Sequence, residues 1–316
     1  VEAAAMEADP YKPFLDKTLR QHYYPGSTFK FVVAAAALKG GDIKADDRVT
    51  CHGALELGKQ RFRCSKAHGS VALYEAMAQS CNVYFWSLAQ RVGMDRIAEL
   101  ATEFGFGAAT GLGLNGDVAG RVPNKAMYET KGGFRIGYTM NTAIGQGDTE
   151  VTVLQLALAY AAIANGGRLF VPQLVERVVT PAGKVVSEVT PRLRRQLALL
   201  PSILAELRHG LWGVVNDKNG TAYSTRREGI SVAGKTGTAQ VRELTRQQKT
   251  GYDQYRDHAW FAGYAPAESP KIAVVVLVEH GGKGGQVAAP VAMEIIRGYL
   301  ENVMAPTAVS ETGGTP

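Results

Sequence analysis

No stretch of this sequence is apolar over the ~18 residues that a membrane-spanning helix needs. Uninterrupted apolar runs such as residues 31–38 and 272–278 are less than half that length and read as pieces of a buried core. No block of like charge stands out either. Lys and Arg outnumber Asp and Glu by 35 to 29, a formal net charge of +6, but they are scattered. The tightest groups are Arg192, Arg194 and Arg195, and the pair Arg226 and Arg227. Such scatter describes a solvated surface and argues against a nucleic-acid partner, although a mildly basic face suits an anionic polymer. Residue 1 is Val, with no basic leader or cleavage signal before it, so the chain reads as a piece or a mature form of something longer. No internal repeat is found. Cysteine is scarce, with three residues in 316.

What is present is ordinary globular material: 46% hydrophobic and 20% charged positions, enough for one large core. A single catalytic domain over residues 1–304 is expected, followed by a small polar tail, 305–316, that should be disordered. After the break at Pro25-Gly26, residues 28–39 predict an alanine-rich buried helix ended by Gly40-Gly41. Residues 42–70 read as irregular, and 72–92 as two short helices flanking Ser80. Residues 105–147 are glycine-rich and mostly loop, whereas 153–164 are apolar on nearly every face, as in a buried helix. A strand-like piece over 170–181 and helices within 193–215 precede three β-rich segments, 230–241, 259–264 and 272–279. Their short polar connections predict an antiparallel meander, with an amphipathic helix, 287–304, lying across it.

Three short constellations carry chemistry. Ser27 and Lys30 are three apart, so a helix starting at Ser27 stacks both on one face. A serine hydroxyl is a weak nucleophile until a base takes its proton, and Lys30, set among Phe29, Phe31, Val32 and Val33, is placed where desolvation favours the neutral amine. The Ser27 N–H, at a helix start, then suits an oxyanion donor. In Ser80-Cys81-Asn82, Ser80 can shuttle a proton and Asn82 can bind a substrate amide; the ordinary alternative is a helix N-cap at Ser80. In the strand 230–241, Lys235 offers charge to a substrate carboxylate, Thr236 a hydroxyl and Thr238 a second oxyanion N–H. Gly237 would let a substrate backbone approach the strand. A second copy of the triplet, Lys249-Thr250-Gly251, lies in a polar run without strand pattern and reads as loop. Each motif alone has a bland explanation, a cap or a surface lysine. Their conjunction, in this order and in these contexts, does not.

With these motifs, the segments Tyr24-Pro-Gly-Ser-Thr-Phe-Lys30, Gly145-Gln-Gly147, Gly234-Lys-Thr-Gly-Thr-Ala-Gln240 and His258-Ala-Trp-Phe-Ala-Gly-Tyr-Ala-Pro266 resemble the class B penicillin-binding proteins, the cell-elongation type ahead of the division type. The resemblance implies an α+β transpeptidase fold like that of the serine β-lactamases: an antiparallel sheet flanked by helices, a helical subdomain, and the active site between them. It implies a serine acyl-enzyme that cross-links peptidoglycan stem peptides ending in D-Ala-D-Ala and is blocked by β-lactams, with no cofactor for catalysis. It also implies a place in the cell envelope, at the periplasmic face of the cytoplasmic membrane. The N-terminal anchor and pedestal domain of such proteins would precede this chain, with a membrane glycosyltransferase as partner. Rival functions are a DD-carboxypeptidase, a serine β-lactamase and a non-catalytic β-lactam sensor. The β-lactamase needs a deacylating base, and Glu150 and Asn165 are badly spaced for one.

Cys51, Cys64, His68 and Cys81 cluster in sequence, and a Cys₃His set is a good tetrahedral zinc complement. A Cys51–Cys64 disulfide with Cys81 buried, or three plain thiols, are the alternatives. The resemblance implies a structural metal beside the Ser80 loop, with His68 and Cys81 matching ligand positions best.

Overall fold

The computed structural model describes residues 6–9, 11–241 and 256–302. The tail 305–316 and the second Lys-Thr-Gly copy lie outside the described residues.

The three β-rich segments form one antiparallel sheet, β9 (Ala233–Ala239), β10 (His258–Ala265) and β11 (Ile272–Val278), with β10 in the middle. The register pairs Gly237 with Trp260 and Phe261 with Val276. β10 is buried over almost its whole length, which explains its near-continuous apolar and small residues. Three helices pack against this sheet: α7 (Val153–Ala164), α8 (Pro201–Asn216) and α9 (Ala288–Asn302). The α7 boundaries agree with the expected 153–164, because Thr152 and Gln155 close a capping box: Thr152 Oγ1 accepts from the Gln155 N–H at 3.1 Å and Gln155 Oε1 from the Thr152 N–H at 2.9 Å.

The helical part is built on α1 (Lys30–Lys39), surrounded by α2 (Leu73–Ala78), α3 (Asn82–Val92) and α4 (Met94–Glu103). All of α1 from Lys30 to Ala37 is buried, so its alanines serve close helix packing. The first turn differs from the expected helix. Gly26–Phe29 is 3₁₀, entered through Gly26 at φ +56°. A 3₁₀ turn has three residues per revolution, so Ser27 and Lys30 eclipse one another more closely than on an α-helix.

One expectation is corrected. Residues 42–70 are not irregular: they hold β1 (Val49–Cys51) paired with β4 (Gly69–Val71), and a hairpin of β2 (Ala54–Leu57) with β3 (Gln60–Arg63). Their strands are three or four residues long, too short for alternation to show against the charged background. Residues 105–147 are mostly loop, as expected, with two short helices set in it, α5 (Lys125–Glu129) and α6 (Ile136–Ala143), the latter held by Trp86 Nε1 donating to Met140 O at 3.0 Å. Between α7 and α8, β5 (Arg168–Phe170) pairs with β8 (Leu193–Gln196), and β6 (Arg177–Val179) with β7 (Val185–Glu188).

Glycines weld the two parts together. The Gly26 N–H donates to Gly145 O at 2.9 Å, and a Cβ on Gly145, at φ +67°, would stand 2.2 Å from Gly26 O. Gly58 has a similar φ, +58°, with nothing within 4 Å of its Cβ position. Both Gly→Ala changes therefore carry the backbone penalty, and only Gly145→Ala adds overpacking. Urea unfolding should show Gly145→Ala less stable than Gly58→Ala by about 2 kcal/mol; equal losses would refute the weld.

Candidate active site

The expected catalytic residues converge on one cleft of about 1240 Å³ between the sheet and the helical part, lined by Ser27, Ser80, Asn82, Thr236, Gly237 and Thr238 among others. Lys30 and Lys235 are fully buried beside it. Lys30 Nζ donates to Asn82 Oδ1 at 2.6 Å, Ser80 O at 2.8 Å and Ser80 Oγ at 3.0 Å, and sits 5.2 Å from the centre of the Phe85 ring. The first and second motifs are thus joined through one amine. Among the described residues no carboxylate bonds it, and burial pushes the Lys30 amine down to about 7, against the pull of the Cys64 and Cys81 thiols towards the charged form.

Local sequence explains how Ser80 gets there. The Cys81 N–H donates to Ala76 O at 2.9 Å and the Ser80 N–H to Met77 O at 3.2 Å, the pair of bonds that closes a helix C-terminus in a Schellman motif. The left-handed position of that motif ordinarily takes glycine. Here it is Ser80, at φ +59°, a strain of about 1 kcal/mol held at a functional position. The result turns both the hydroxyl and the carbonyl of Ser80 onto Lys30. The N-cap alternative is corrected: Cys81, not Ser80, occupies the N-cap of α3, and no side chain caps it.

On β9, Lys235 donates to Thr236 O at 3.2 Å, and its amine is held well below the usual lysine range by burial and then by Lys30. Thr236 Oγ1 lies 2.6 Å from Thr221 Oγ1. The reason for Gly237 differs from the expected one. A Cβ there would meet Thr28 Cγ2 and Trp260 Cβ at 3.0 Å and Pro25 O at 3.1 Å, so the glycine admits the nucleophile's own turn against β9. Gly284 closes in on the same place, its Cβ position 2.3 Å from Gly237 O and 2.2 Å from Trp260 O.

Sequence reasoning missed Thr221, which no local pattern marks. It also missed the cleft-lining loop after β11, although the run Gly281-Gly282-Lys283-Gly284-Gly285 was a visible signal. A third omission is the β3 edge of the cleft, Arg61, Phe62 and Arg63. Glu150, weighed as a deacylating base, bonds Arg121 at 2.6 Å and His22 at 3.1 Å. Asn165 bonds Arg168. Neither lines the cleft.

Behind the Ser80 loop, Cys51, Cys64, His68 and Cys81 bring their ligand atoms within 4.8 Å of one another. His68 Nδ1 is 3.5 Å from both Cys51 Sγ and Cys64 Sγ, and all three cysteines are free thiols. Cys64 Sγ accepts the Asn82 N–H at 3.2 Å. The Cys64 thiol is lowered by its bond from Cys81 and by backbone donors, and the Cys81 thiol is raised, as expected when one proton is shared by the pair. Four soft and borderline donors at this spacing fit a tetrahedral zinc ion.

Residues 2–297 match the family model for the penicillin binding protein transpeptidase domain. The chain is similar to the peptidoglycan D,D-transpeptidase MrdA of Haemophilus influenzae, 32% identical over 305 residues, 92% of this chain and 46% of that protein. It is similar to a Helicobacter pylori penicillin-binding protein (PBP2) solved in complex with MreC, at a TM-score of 0.82 and 29% identity, covering 96% of this chain and 54% of that one. It is also similar to penicillin-binding protein A of M. tuberculosis as its penicillin G acyl-enzyme, at a TM-score of 0.76 and 27% identity, covering 93% and 65%. The chain spans about half the length of the curated relatives it matches.

If Lys30 is the base, only its neutral form accepts the Ser27 proton, and that form is lost as pH falls below about 7. Stopped-flow acylation by penicillin G should slow about tenfold per pH unit below that point and level off above it. A rate flat from pH 5 to 8 would remove Lys30 from the role.

Proposed function

Because this chain belongs to the penicillin-binding protein transpeptidase family, in the MrdA (PBP2) type of class B, we propose that it is a serine D,D-transpeptidase that acylates Ser27 with the penultimate D-Ala of a peptidoglycan peptide. The observation that carries this reading is the three-way contact of Lys30 Nζ with Ser80 and Asn82 beneath the cleft that holds Ser27.

The chemistry runs on these residues. Lys30, neutral, takes the Ser27 hydroxyl proton as Oγ adds to the carbonyl of the D-Ala-D-Ala bond. The oxyanion lies between the Ser27 and Thr238 N–H groups. Collapse breaks the C–N bond, and a proton relayed from Lys30 through Ser80 leaves on the departing D-Ala amine. Asn82 binds the amide of the peptidyl donor. Lys235 and Thr236 face the terminal carboxylate, which supplies the counter-charge that buried Lys235 lacks. An amine of a second peptide then attacks the ester, and Ser27 recovers its proton. Water in place of that amine would make a carboxypeptidase. A β-lactam acylates the same oxygen, but its leaving nitrogen stays tethered.

Among the described residues the only carboxylate lining the cleft is Asp257, and Glu150 is engaged elsewhere, which supports a long-lived acyl-enzyme over β-lactamase turnover. The names of the relatives, peptidoglycan D,D-transpeptidases, support a role for the whole protein in cell-wall synthesis and hence in the cell envelope. A partner of the kind seen in the MreC complex, and a membrane glycosyltransferase, are the expected assembly. No helix of the described residues is long and apolar enough to cross a membrane.

Mass spectrometry after incubation with penicillin G should find an adduct on the peptide bearing Ser27, lasting minutes or longer, and none in Ser27→Ala. Undiminished labelling of Ser27→Ala, or rapid turnover of a chromogenic cephalosporin, would overturn the assignment.

We further infer that Cys51, Cys64, His68 and Cys81 hold one structural zinc ion, which ties β1 and the β2–β3 hairpin to the Ser80–Asn82 motif. Elemental analysis of protein purified without added metal should give close to one zinc per chain, and Cys81→Ser should lower both metal content and thermal midpoint. Metal-free protein with a Cys51–Cys64 disulfide would refute it.

A further inference from the structure

The charge of the cleft is lopsided. Its described lining carries Arg61, Arg63, Arg256 and Lys283, against Asp257 alone. The catalytic scheme uses none of these four cations, and the terminal carboxylate already has Lys235.

Arg61 and Arg63 are the two cations whose placement is built rather than incidental. They flank Phe62 on β3, so strand alternation puts both on the face away from Phe62. Phe62 is half-buried and packs edge-on against Trp86, ring centres 5.5 Å apart, which holds the strand against α3. At its far end the hairpin reaches α6: the Gln60 Oε1 atom lies 3.6 Å from where a Cβ on Gly137 would stand. At its near end β3 runs directly into Cys64, whose sulfur accepts the Asn82 N–H at 3.2 Å. A short strand is thus held at its middle and at its Cys64 end along the cleft. Both guanidinium groups are exposed and, among the described residues, neither makes a hydrogen bond or ion pair, although Glu56 stands opposite Arg61 on β2. Two unpaired arginines on an anchored edge present forked donors in the geometry that suits a carboxylate.

We propose that Arg61 and Arg63 form an anion subsite that binds a carboxylate of the peptidyl donor lying N-terminal to the scissile D-Ala-D-Ala bond, making the cleft selective for acidic over amidated donor peptides. This rests on the transpeptidase reading of Ser27. The subsite acts on recognition, not on the nucleophile, because neither arginine is among the groups that Lys30 contacts.

The test uses two N-acetyl pentapeptides of the same sequence ending in D-Ala-D-Ala, one with glutamate and one with glutamine two residues before that dipeptide. Acyl-enzyme formation on the full chain is followed by mass spectrometry, and binding to Ser27→Ala by titration calorimetry. The glutamate peptide should be preferred, and Arg61→Ala/Arg63→Ala should cut its kcat/KM about fivefold more than that of its glutamine twin. Arg61→Glu/Arg63→Glu should reverse the preference, and raising salt should erase it. An equal loss on both peptides, or no loss on either, overturns the proposal. If Ser27→Ala shows the arginine-dependent preference in binding while the unaltered chain is acylated by neither peptide, the transpeptidase reading fails and the anion subsite stands.

Discussion

A lysine buried without a carboxylate partner is the constraint around which this molecule is arranged. Full burial of Lys30 disfavours its charge, and the protein answers with oxygen dipoles: one carbonyl, one hydroxyl and one side-chain amide within 3.0 Å. Dipoles support an ammonium less than a carboxylate would, so the amine remains close to balance near neutral pH and can both take and return a proton. All three oxygens come from a single loop. That loop must therefore be held rigidly, and its left-handed Ser80, the α2 terminus beneath it and the Cys/His cluster behind it all contribute to holding it.

The second requirement is that the serine's own turn reach the sheet. Gly26, Gly145, Gly237 and Gly284 are four places where a Cβ would stand 3.0 Å or less from atoms of another segment. They are spread along the chain, and together they let the Pro25–Phe29 turn sink between β9 and the Gly145 loop. Tyr160 Oη donating to Thr28 O at 3.0 Å and Trp260 Nε1 to Tyr24 O at 3.1 Å fix the turn from α7 and β10. Catalytic geometry here depends on backbone proximity as much as on the reactive side chains.

Cationic side chains then divide by burial. Lys30 and Lys235 are enclosed; burial lowers the proton affinity of both, and Lys30 lowers that of Lys235 further. Arg61 and Arg63 are exposed and stand at the rim, where recognition precedes chemistry. One sign of charge thus serves two ends at different depths.

Local pattern was enough for the three motifs, the meander, the helix at 153–164 and the grouping of Cys51, Cys64, His68 and Cys81, because each is written in a period or spacing that survives without tertiary context. It mistook residues 42–70 for irregular chain, since strands of three or four residues carry too few alternations to be read, and it left α6 among the glycines. Ser80 looked like a helix start, because a serine in a left-handed C-terminal position has no local signature. Gly237 looked like an opening for substrate, because only the folded chain brings Thr28 and Pro25 against it. Thr221, the glycine loop after β11 and the Arg61–Arg63 edge became part of the site only through contacts between segments remote in sequence. Local pattern decides which residue types stand in register; tertiary packing decides which are buried enough to change their protonation, and which remain exposed enough to meet the substrate.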